Sequence, residues 1–224
     1  MKSALVALVG TLTVSVLATS ADVVTSTEWE TSAVGTISGR VTLEPPPPQR
    51  RTARSRTYDG RSDVIQQLPA VVYLRGAISG GPSAARAVMT QRDTTFIPGV
   101  VPVMVGGTVE FPNEDPFFHN VFSYSEAKRL DLGRYPQGES KEEVFDEVGI
   151  VEVFCEVHRE MRGAIIVTEN PYHAVVDEDG RFTISGIPAG EHSVVFWSAD
   201  HRAIERTINV TDGGTTEIEV ELTR

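Results

Sequence analysis

Residues 150–168 read IVEVFCEVHREMRGAIIVT, and this stretch decides the fold class. Its two ends, 150–155 and 163–168, are short apolar runs rich in valine and isoleucine, which is the composition of β-strands. Between these runs lies a mostly polar segment from Cys155 to Met161. The stretch therefore predicts a β-hairpin with a seven-residue loop.

Strand-like segments of the same kind occur on both sides of this hairpin. We predict them at 36–43, 70–74, 100–105, 108–112, 120–124, 141–145, 174–176, 181–184, 192–197, 204–210 and 216–222. Glycine, proline or acidic turns separate most of them, and beyond residue 21 no long stretch has convincing helical periodicity. Many short strands at this spacing predict an all-β sandwich or barrel.

The hairpin loop carries three side chains that bind soft metal ions: Cys155, His158 and Met161. His119, which follows an alternating segment beginning at Gly107, supplies a second imidazole, and loops distant in sequence can meet at one end of a sandwich. Calcium and magnesium prefer oxygen donors, and a thioether is a poor fourth ligand for zinc. Two imidazoles, a thiolate and a weak thioether are the ligands of blue copper sites, so the sequence predicts one mononuclear copper ion.

These residues resemble the cupredoxins, the family of small blue copper proteins. The resemblance rests on the run 107–120 and on the loop 155–161, whose spacing is similar to that of amicyanin. The surrounding sequence is similar to longer periplasmic cupredoxins described as methylamine-utilisation proteins, at 96–98, 121–123, 132–133 and 170–172. One departure is the pair of charges at Arg159 and Glu160, where relatives often carry apolar residues or proline.

The resemblance implies a Greek-key β-sandwich with a type 1 copper site. It makes His119, Cys155 and His158 the equatorial ligands and Met161 the axial ligand. In the family, the asparagine after the first histidine ties the two ligand loops together. The resemblance therefore gives Asn120 the role of orienting the ligands.

The last part of the chain, with its Asp-Gly and Pro-Ala-Gly turns, resembles a carboxypeptidase-regulatory-like (transthyretin-like) β-sandwich. The two opening strands of such a domain are missing there, and the predicted strands at 36–43 and 70–74 look like them. We therefore expect residues 36–80 and 171–224 to form a smaller, discontinuous sandwich into which a copper domain, 81–170, is inserted. The alternative is that the two early strands belong to the copper domain.

The first 21 residues predict a secretory signal. Lys2 precedes an apolar run from Ala4 to Leu17, and small residues follow up to Ala21. The run is too short to span a bilayer as a relaxed helix. We expect cleavage after Ala21, a flexible lead-in at 22–35, and a periplasmic or secreted protein without a membrane span.

Charge and cysteine content restrict the partners. The formal net charge of −11 argues against nucleic-acid binding, because neutralising phosphates requires a basic surface. It favours a redox protein partner with a basic docking surface. Cys155 is the only cysteine, and a single thiol in an oxidising compartment indicates a special chemical role. The arginine-rich segment 50–61 is expected to be a solvated loop or, alternatively, a docking patch for an acidic partner.

We expect a single-electron carrier rather than an enzyme, with electrons leaving through His158. The residues 116–118 are predicted to form an apolar docking rim or, alternatively, to pack in the core. Two other functions stay open: a metal-free adhesion or carbohydrate-binding β-sandwich, and a copper enzyme of nitrogen-oxide or oxygen chemistry. The enzyme needs an exchangeable ligand position, against which Met161 argues. Three further histidines are expected to lie at the surface or in turns, without binding metal: His173, His192 and His201.

Overall fold

The structure is a computed structural model that describes residues 33–46, 66–79 and 86–224. Within these ranges every regular element is a β-strand, which confirms the predicted all-β class. The described residues contain no helix long and apolar enough to cross a membrane. The signal at 1–21 and the segment 50–61 lie outside the described residues. The expected lead-in extends too far, since the first strand begins at Val34.

The strands are β1 (Val34–Leu43), β2 (Val71–Leu74), β3 (Arg86–Val88), β4 (Thr90–Arg92), β5 (Thr95–Ile97), β6 (Val100–Met104), β7 (Gly107–Pro112), β8 (Phe122–Tyr124), β9 (Arg129–Asp131), β10 (Ser140–Phe145), β11 (Gly149–Phe154), β12 (Arg162–Thr168), β13 (His173–Val175), β14 (Arg181–Pro188), β15 (Gly190–Trp197), β16 (Ile204–Val210) and β17 (Thr215–Leu222).

These strands form four larger sheets and one two-stranded ribbon, β4-β5. We name the larger sheets A (β14-β1-β17), B (β13-β2-β15-β16), C (β6-β12-β11-β8-β9) and D (β10-β7-β3). Sheets A and B enclose one apolar core, which includes Ile37 and Phe196. Sheets C and D enclose a second core, which includes Phe111 and Val153. We call sheets C and D the site sandwich, and sheets A and B the flanking sandwich.

A third apolar cluster lies between sheets B and C, where Val71 and Trp197 meet Val100 and Ile166. The four sheets therefore stack in the order A, B, C, D. This order explains why some strands are apolar at nearly every position: both of their faces are covered.

Strand β12 shows this double burial most clearly. Ile165 and Val167 point into the core between sheets C and D. Ala164 and Ile166 point the other way, into the cluster between sheets B and C. Successive side chains of a strand alternate between its two faces, so a strand covered on both sides must be apolar throughout.

The two early strands pair with strands from the last part of the chain. Strand β1 runs antiparallel to β14 and parallel to β17. Strand β2 lies between β13 and β15. A Cβ atom at Gly39 would lie 1.8 Å from the carbonyl oxygen of Ile218, so only glycine allows β1 and β17 to approach this closely.

The hairpin that decides the fold forms as predicted. Strands β11 and β12 pair antiparallel from Gly149 opposite Val167 to Phe154 opposite Arg162, which leaves the seven residues 155–161 as the loop. Strand β8 joins β11 on one side, and β6 joins β12 on the other. Four three-residue strands were not predicted: β3, β4, β5 and β9.

Candidate metal centre

The predicted thiol and both predicted imidazoles come together at one point. The ligand atoms of His119, Cys155 and His158 all lie within 4.8 Å of one another. Cys155 Sγ is 3.5 Å from His119 Nδ1, and that nitrogen is 3.1 Å from His158 Nδ1. His119 and Cys155 are buried, whereas His158 is partly exposed.

Two separate loops of the site sandwich carry these groups. Cys155 directly follows β11, so the pairing of β11 with β8 and β12 fixes the start of the loop 155–161. His119 lies in the loop between β7 and β8, and it exchanges two backbone hydrogen bonds with Tyr135. A sheet therefore fixes the start of the loop 155–161, and an isolated bridge to Tyr135 fixes the backbone at His119.

Asn120 connects these two loops. Its side-chain oxygen Oδ1 accepts a hydrogen bond from the backbone N–H of Glu156, at 2.8 Å. The same oxygen lies 3.6 Å from Cys155 Sγ. The amide of Asn120 therefore contacts both the Cys155 thiol and the backbone of the next residue, Glu156.

Met161 is completely buried in the core that also contains Cys155. Its backbone N–H donates to the carbonyl oxygen of His158 at 3.1 Å, which closes the second half of the loop into a tight turn. The thioether is therefore sequestered from water, directly before strand β12.

Asp115 is a site residue whose role was not predicted from the sequence. Its Oδ2 lies 2.8 Å from His119 Nε2, and the carboxylate is buried. With a carboxylate as its acceptor, Nε2 carries the hydrogen, and the lone pair of Nδ1 points toward Cys155 and His158. Asp115 therefore orients the imidazole so that Nδ1 faces the thiol and the second imidazole.

A backbone turn holds this carboxylate. Asp93 and Thr94, between β4 and β5, donate their N–H groups to Asp115 at 2.8 and 3.0 Å. Both turn residues have positive φ, 54° and 56°, which suits a two-residue hairpin turn. Burial acts to raise the pKa of Asp115, but the N–H group of Thr94, the imidazole of His119 and the N–H group of Asp93 outweigh it and lower the pKa. The only sequence signal for this role is an acid four residues before His119.

The surroundings of Cys155 lower the pKa of its thiol. Burial acts to raise the pKa of Cys155, but the hydrogen bond with His119 and backbone N–H groups outweigh it, so the pKa is lowered. For His119, burial acts to lower the pKa, and the contacts with Cys155 and Asp115 outweigh it and raise the pKa. A lowered thiol pKa favours the thiolate, which is the form that binds metals.

A buried polar network supports the loop that ends at His119. Asn113 Nδ2 donates to the carbonyl oxygens of Phe117 and Tyr135, at 2.9 and 3.0 Å. The Tyr135 hydroxyl donates to the carbonyl oxygen of Phe111 at 2.9 Å and accepts a hydrogen bond from Gln91 Nε2. Burial raises the pKa of Tyr135, so its hydroxyl stays protonated.

The predicted rim residues divide between two environments. Phe117 packs against both imidazoles, with its ring centroid 5.3 Å from that of His119 and 5.2 Å from that of His158. Pro116 is exposed, and Phe118 is 54% exposed. Phe117 thus lines the site, while its two neighbours present apolar surface to solvent.

The other three histidines lie outside the cluster in the described part of the chain. His192 Nε2 bonds to the carbonyl oxygen of Pro188, and His201 Nε2 to that of Glu44. His173 was expected at the surface or in a turn. It lies instead in β13 and is partly buried, and burial lowers its pKa.

The donor set fits copper better than other common metals. A thiol and two imidazole nitrogens converge, and a buried thioether lies on the same loop as the thiol. The carboxylate of Asp115, which contacts the cluster, is already engaged by His119 and two backbone N–H groups. Hard cations prefer oxygen ligands, and structural zinc sites are completed by cysteine or histidine. Two imidazoles, one thiolate and a weak thioether make up the set that type 1 copper sites use.

Comparison with known proteins gives matches among solved structures, and these matches include copper proteins. No family model matches the chain, and no curated protein matches it. A purple cupredoxin from Nitrosopumilus maritimus is 23% identical over 37% of this chain and 99% of its own, with a TM-score of 0.34. A copper-containing nitrite reductase from Thermus scotoductus is 23% identical over 43% of this chain and 25% of its own, with a TM-score of 0.37. A reduced amicyanin variant is 24% identical over 41% of this chain and 82% of its own, with a TM-score of 0.34.

Proposed function

We propose that this chain is a type 1 copper protein of the cupredoxin kind that carries single electrons. The observation that supports the proposal is the convergence of the buried Cys155 thiol with the Nδ1 atoms of His119 and His158. In the proposed site these three side chains would hold the copper ion, and Met161 would supply a fourth ligand. Bound copper would supply one-electron chemistry by alternating between its two oxidation states.

The surrounding residues hold the donors in place before any metal is bound. Asp115 fixes the orientation of His119, and Asn120 ties the loop of His119 to the loop of Cys155. The Cys155 thiol releases its proton when metal binds, and its lowered pKa makes this release easier. Donors held in fixed positions would suit an electron carrier.

Electron exit is proposed at His158, which as a whole residue is the more exposed of the two histidines. Phe118 and Val157 are 54% and 42% exposed and flank the site in sequence, with Pro116 also exposed. This apolar surface beside an imidazole suits brief docking with a redox protein. The acidic net charge favours a partner with a basic surface.

A carrier is favoured over a copper enzyme because the site offers little room for substrate. Met161 is fully buried on the same loop as the other donors, and Phe117 packs over both imidazoles. An enzyme needs an exchangeable position at the metal. The proposed function is therefore electron transfer without catalysis at this centre.

Export to the periplasm or outside the cell is part of the same proposal. It rests on the sequence pattern before Ala21 and on the presence of a single cysteine. We also propose the domain division made from the sequence: a copper domain at 81–170 and a transthyretin-like sandwich at 36–80 with 171–224. The pairing of β1 and β2 with strands β13 to β17 supports this division.

Copper reconstitution tests the function. The parent protein should bind one copper ion and turn intensely blue, whereas Cys155→Ala should stay colourless because the thiolate is lost. His192→Ala is the matched control, since it removes an imidazole outside the cluster and should keep the colour. A parent protein that binds no copper would favour the metal-free binding module. A copper centre that readily takes up azide would favour the enzyme.

A further inference from the structure

The residue directly after Met161 connects the metal centre to the flanking sandwich. Arg162 begins β12, and its guanidinium group donates from Nη1 to Asp200 Oδ1 at 2.9 Å and from Nη2 to Asp200 Oδ2. Its Nε donates to the backbone carbonyl oxygen of Gln66 at 2.8 Å. Acceptors from two distant segments therefore fix the guanidinium plane, and the side chain is only 14% exposed.

Besides accepting this hydrogen bond from Arg162, Gln66 also contacts the loop 155–161 directly. Its backbone N–H donates to the carbonyl oxygen of Glu160 at 3.2 Å. Its side-chain amide exchanges two hydrogen bonds with the backbone of Phe96 in β5. The residues before and after Met161 are thus both attached to the same point on the segment that leads into β2.

Asp200 is itself held firmly in the flanking sandwich. Asp200 lies between β15 and β16. The next residue, His201, donates its backbone N–H to the carbonyl oxygen of Ser198. Its Nε2 lies 3.0 Å from the carbonyl oxygen of Glu44. Arg202 donates its N–H to the carbonyl oxygen of Thr223. These contacts fasten the loop to the ends of β1 and β17, so Asp200 is a fixed anchor.

A bidentate arginine–carboxylate pair of this kind is strong and directional. Removing the carboxylate leaves a mostly buried guanidinium group without its partner, which costs more than the loss of an exposed pair. The exposed ion pair between Arg75 and Glu205, at 3.0 Å in the flanking sandwich, serves as the reference for an exposed pair. Its side chains are 58% and 47% exposed.

We propose that Asp200 is a positioning residue for the metal centre: through Arg162 it holds the end of the loop 155–161, and with it Met161, in the geometry that binds metal. The proposal rests on the proposed copper function, because Met161 matters only as a ligand there. The flanking sandwich contributes no ligand, yet under this proposal it influences the properties of the metal centre.

Amide hydrogen exchange of the metal-free full-length protein is the first test. Asp200→Asn keeps the shape of the side chain and removes its charge. We expect exchange at the Met161 amide to rise by about tenfold or more, the factor that corresponds to losing a hydrogen bond to a charged group. Amides in β14 and β17 should exchange at the parent rate. Glu205→Gln is the control and should leave Met161 unchanged.

Copper-loaded protein provides the second test. Asp200→Asn should change the midpoint potential and the visible spectrum, whereas Glu205→Gln should change neither, and Asp200→Glu should restore part of the parent values. If Asp200→Asn fails to fold, Arg162→Lys takes its place, because lysine keeps the charge and loses the two-pronged contact.

The outcomes separate this proposal from the copper assignment. Unchanged exchange at Met161, or exchange that rises equally in all sheets, overturns the positioning role. Faster exchange at Met161 with an unchanged potential overturns it as well. If the parent protein binds no copper, the proposed function fails, whatever the exchange experiment shows about Asp200.

Discussion

The carboxylate of Asp115 lies 2.8 Å from His119 Nε2, on the side of the imidazole opposite the thiol. The contact decides which ring nitrogen is available to a metal, because a nitrogen that donates its hydrogen to a carboxylate has no free lone pair. The backbone N–H groups of Asp93 and Thr94, in the turn between β4 and β5, hold this carboxylate in place. A hairpin with no ligand of its own therefore determines the tautomer of a proposed ligand.

Asp115→Asn should weaken copper binding by about 10- to 100-fold, the range found when a group that orients a ligand is removed. The amide keeps the size of the side chain but loses the charge that favours Nε2–H. Competition with a copper chelator measures the affinity. Glu114→Gln, at the neighbouring exposed position, is the control, and an equal loss in both variants would contradict the role of Asp115.

Met161→Leu should raise the reduction potential of the copper-loaded protein. A thioether donates electron density and stabilises the more positive oxidised ion more than the reduced one, so its removal favours reduction. Leucine conserves the volume of this buried side chain, and the cost in stability should stay below about 1.5 kcal/mol. Voltammetry measures the potential. An unchanged potential and colour would place Met161 outside the coordination sphere and would favour an open, enzyme-like position.

Tyr135→Phe should lower the free energy of unfolding by about 1–3 kcal/mol, because Gln91 and the carbonyl oxygen of Phe111 each lose a buried partner. Urea denaturation of the metal-free protein measures the loss. Tyr124→Phe, at a position that is 78% exposed, should have almost no effect. Equal effects in the two variants would show that the buried network is not important for stability.

The pair Arg162–Asp200 should make stability depend on pH in acid. Arg162 lowers the pKa of Asp200 below its ordinary value. The stabilisation is therefore complete above the ordinary aspartate pKa, near 4, and is lost as the pH falls through the lowered value. The difference in unfolding free energy between the parent and Asp200→Asn should shrink as the pH is lowered from 6 through about 3. A difference that stays constant over this range would contradict the sign of the shift.

Limited proteolysis tests the division of the chain. Strands β1 and β2 pair with strands that follow residue 171, so a fragment without those strands would expose the core between sheets A and B. We expect no stable fragment from near residue 33 to near residue 170. Recovery of such a fragment in folded form would assign β1 and β2 to the copper domain.

Much of the site could be predicted because its donors stand where strong local patterns end. Valine and isoleucine alternation stops at Phe154 and an apolar run resumes after Arg162, and this placed Cys155 and His158 on one hairpin loop. The all-β class followed from the same strand patterns.

The parts that were missed depend on long-range contacts without a local pattern. Strands β3, β4, β5 and β9 have three residues each, too few to show a period. The turn at 93–94 contains neither glycine nor asparagine, the residues that signal positive φ. Since the role of Asp115 depends on that turn, it could be seen only in the folded chain. The contact of Arg162 with Asp200 likewise joins residues 38 positions apart.

Strand β12 contributes side chains to two apolar cores, one on each of its faces, and this restricts how the protein can be engineered. Excising the site sandwich as a separate module would leave Val100, Ala164 and Ile166 facing water. Such a patch on a sheet face promotes self-association. A soluble version of the isolated site sandwich therefore needs those three positions redesigned as polar, because in the full chain the flanking sandwich shields them from water.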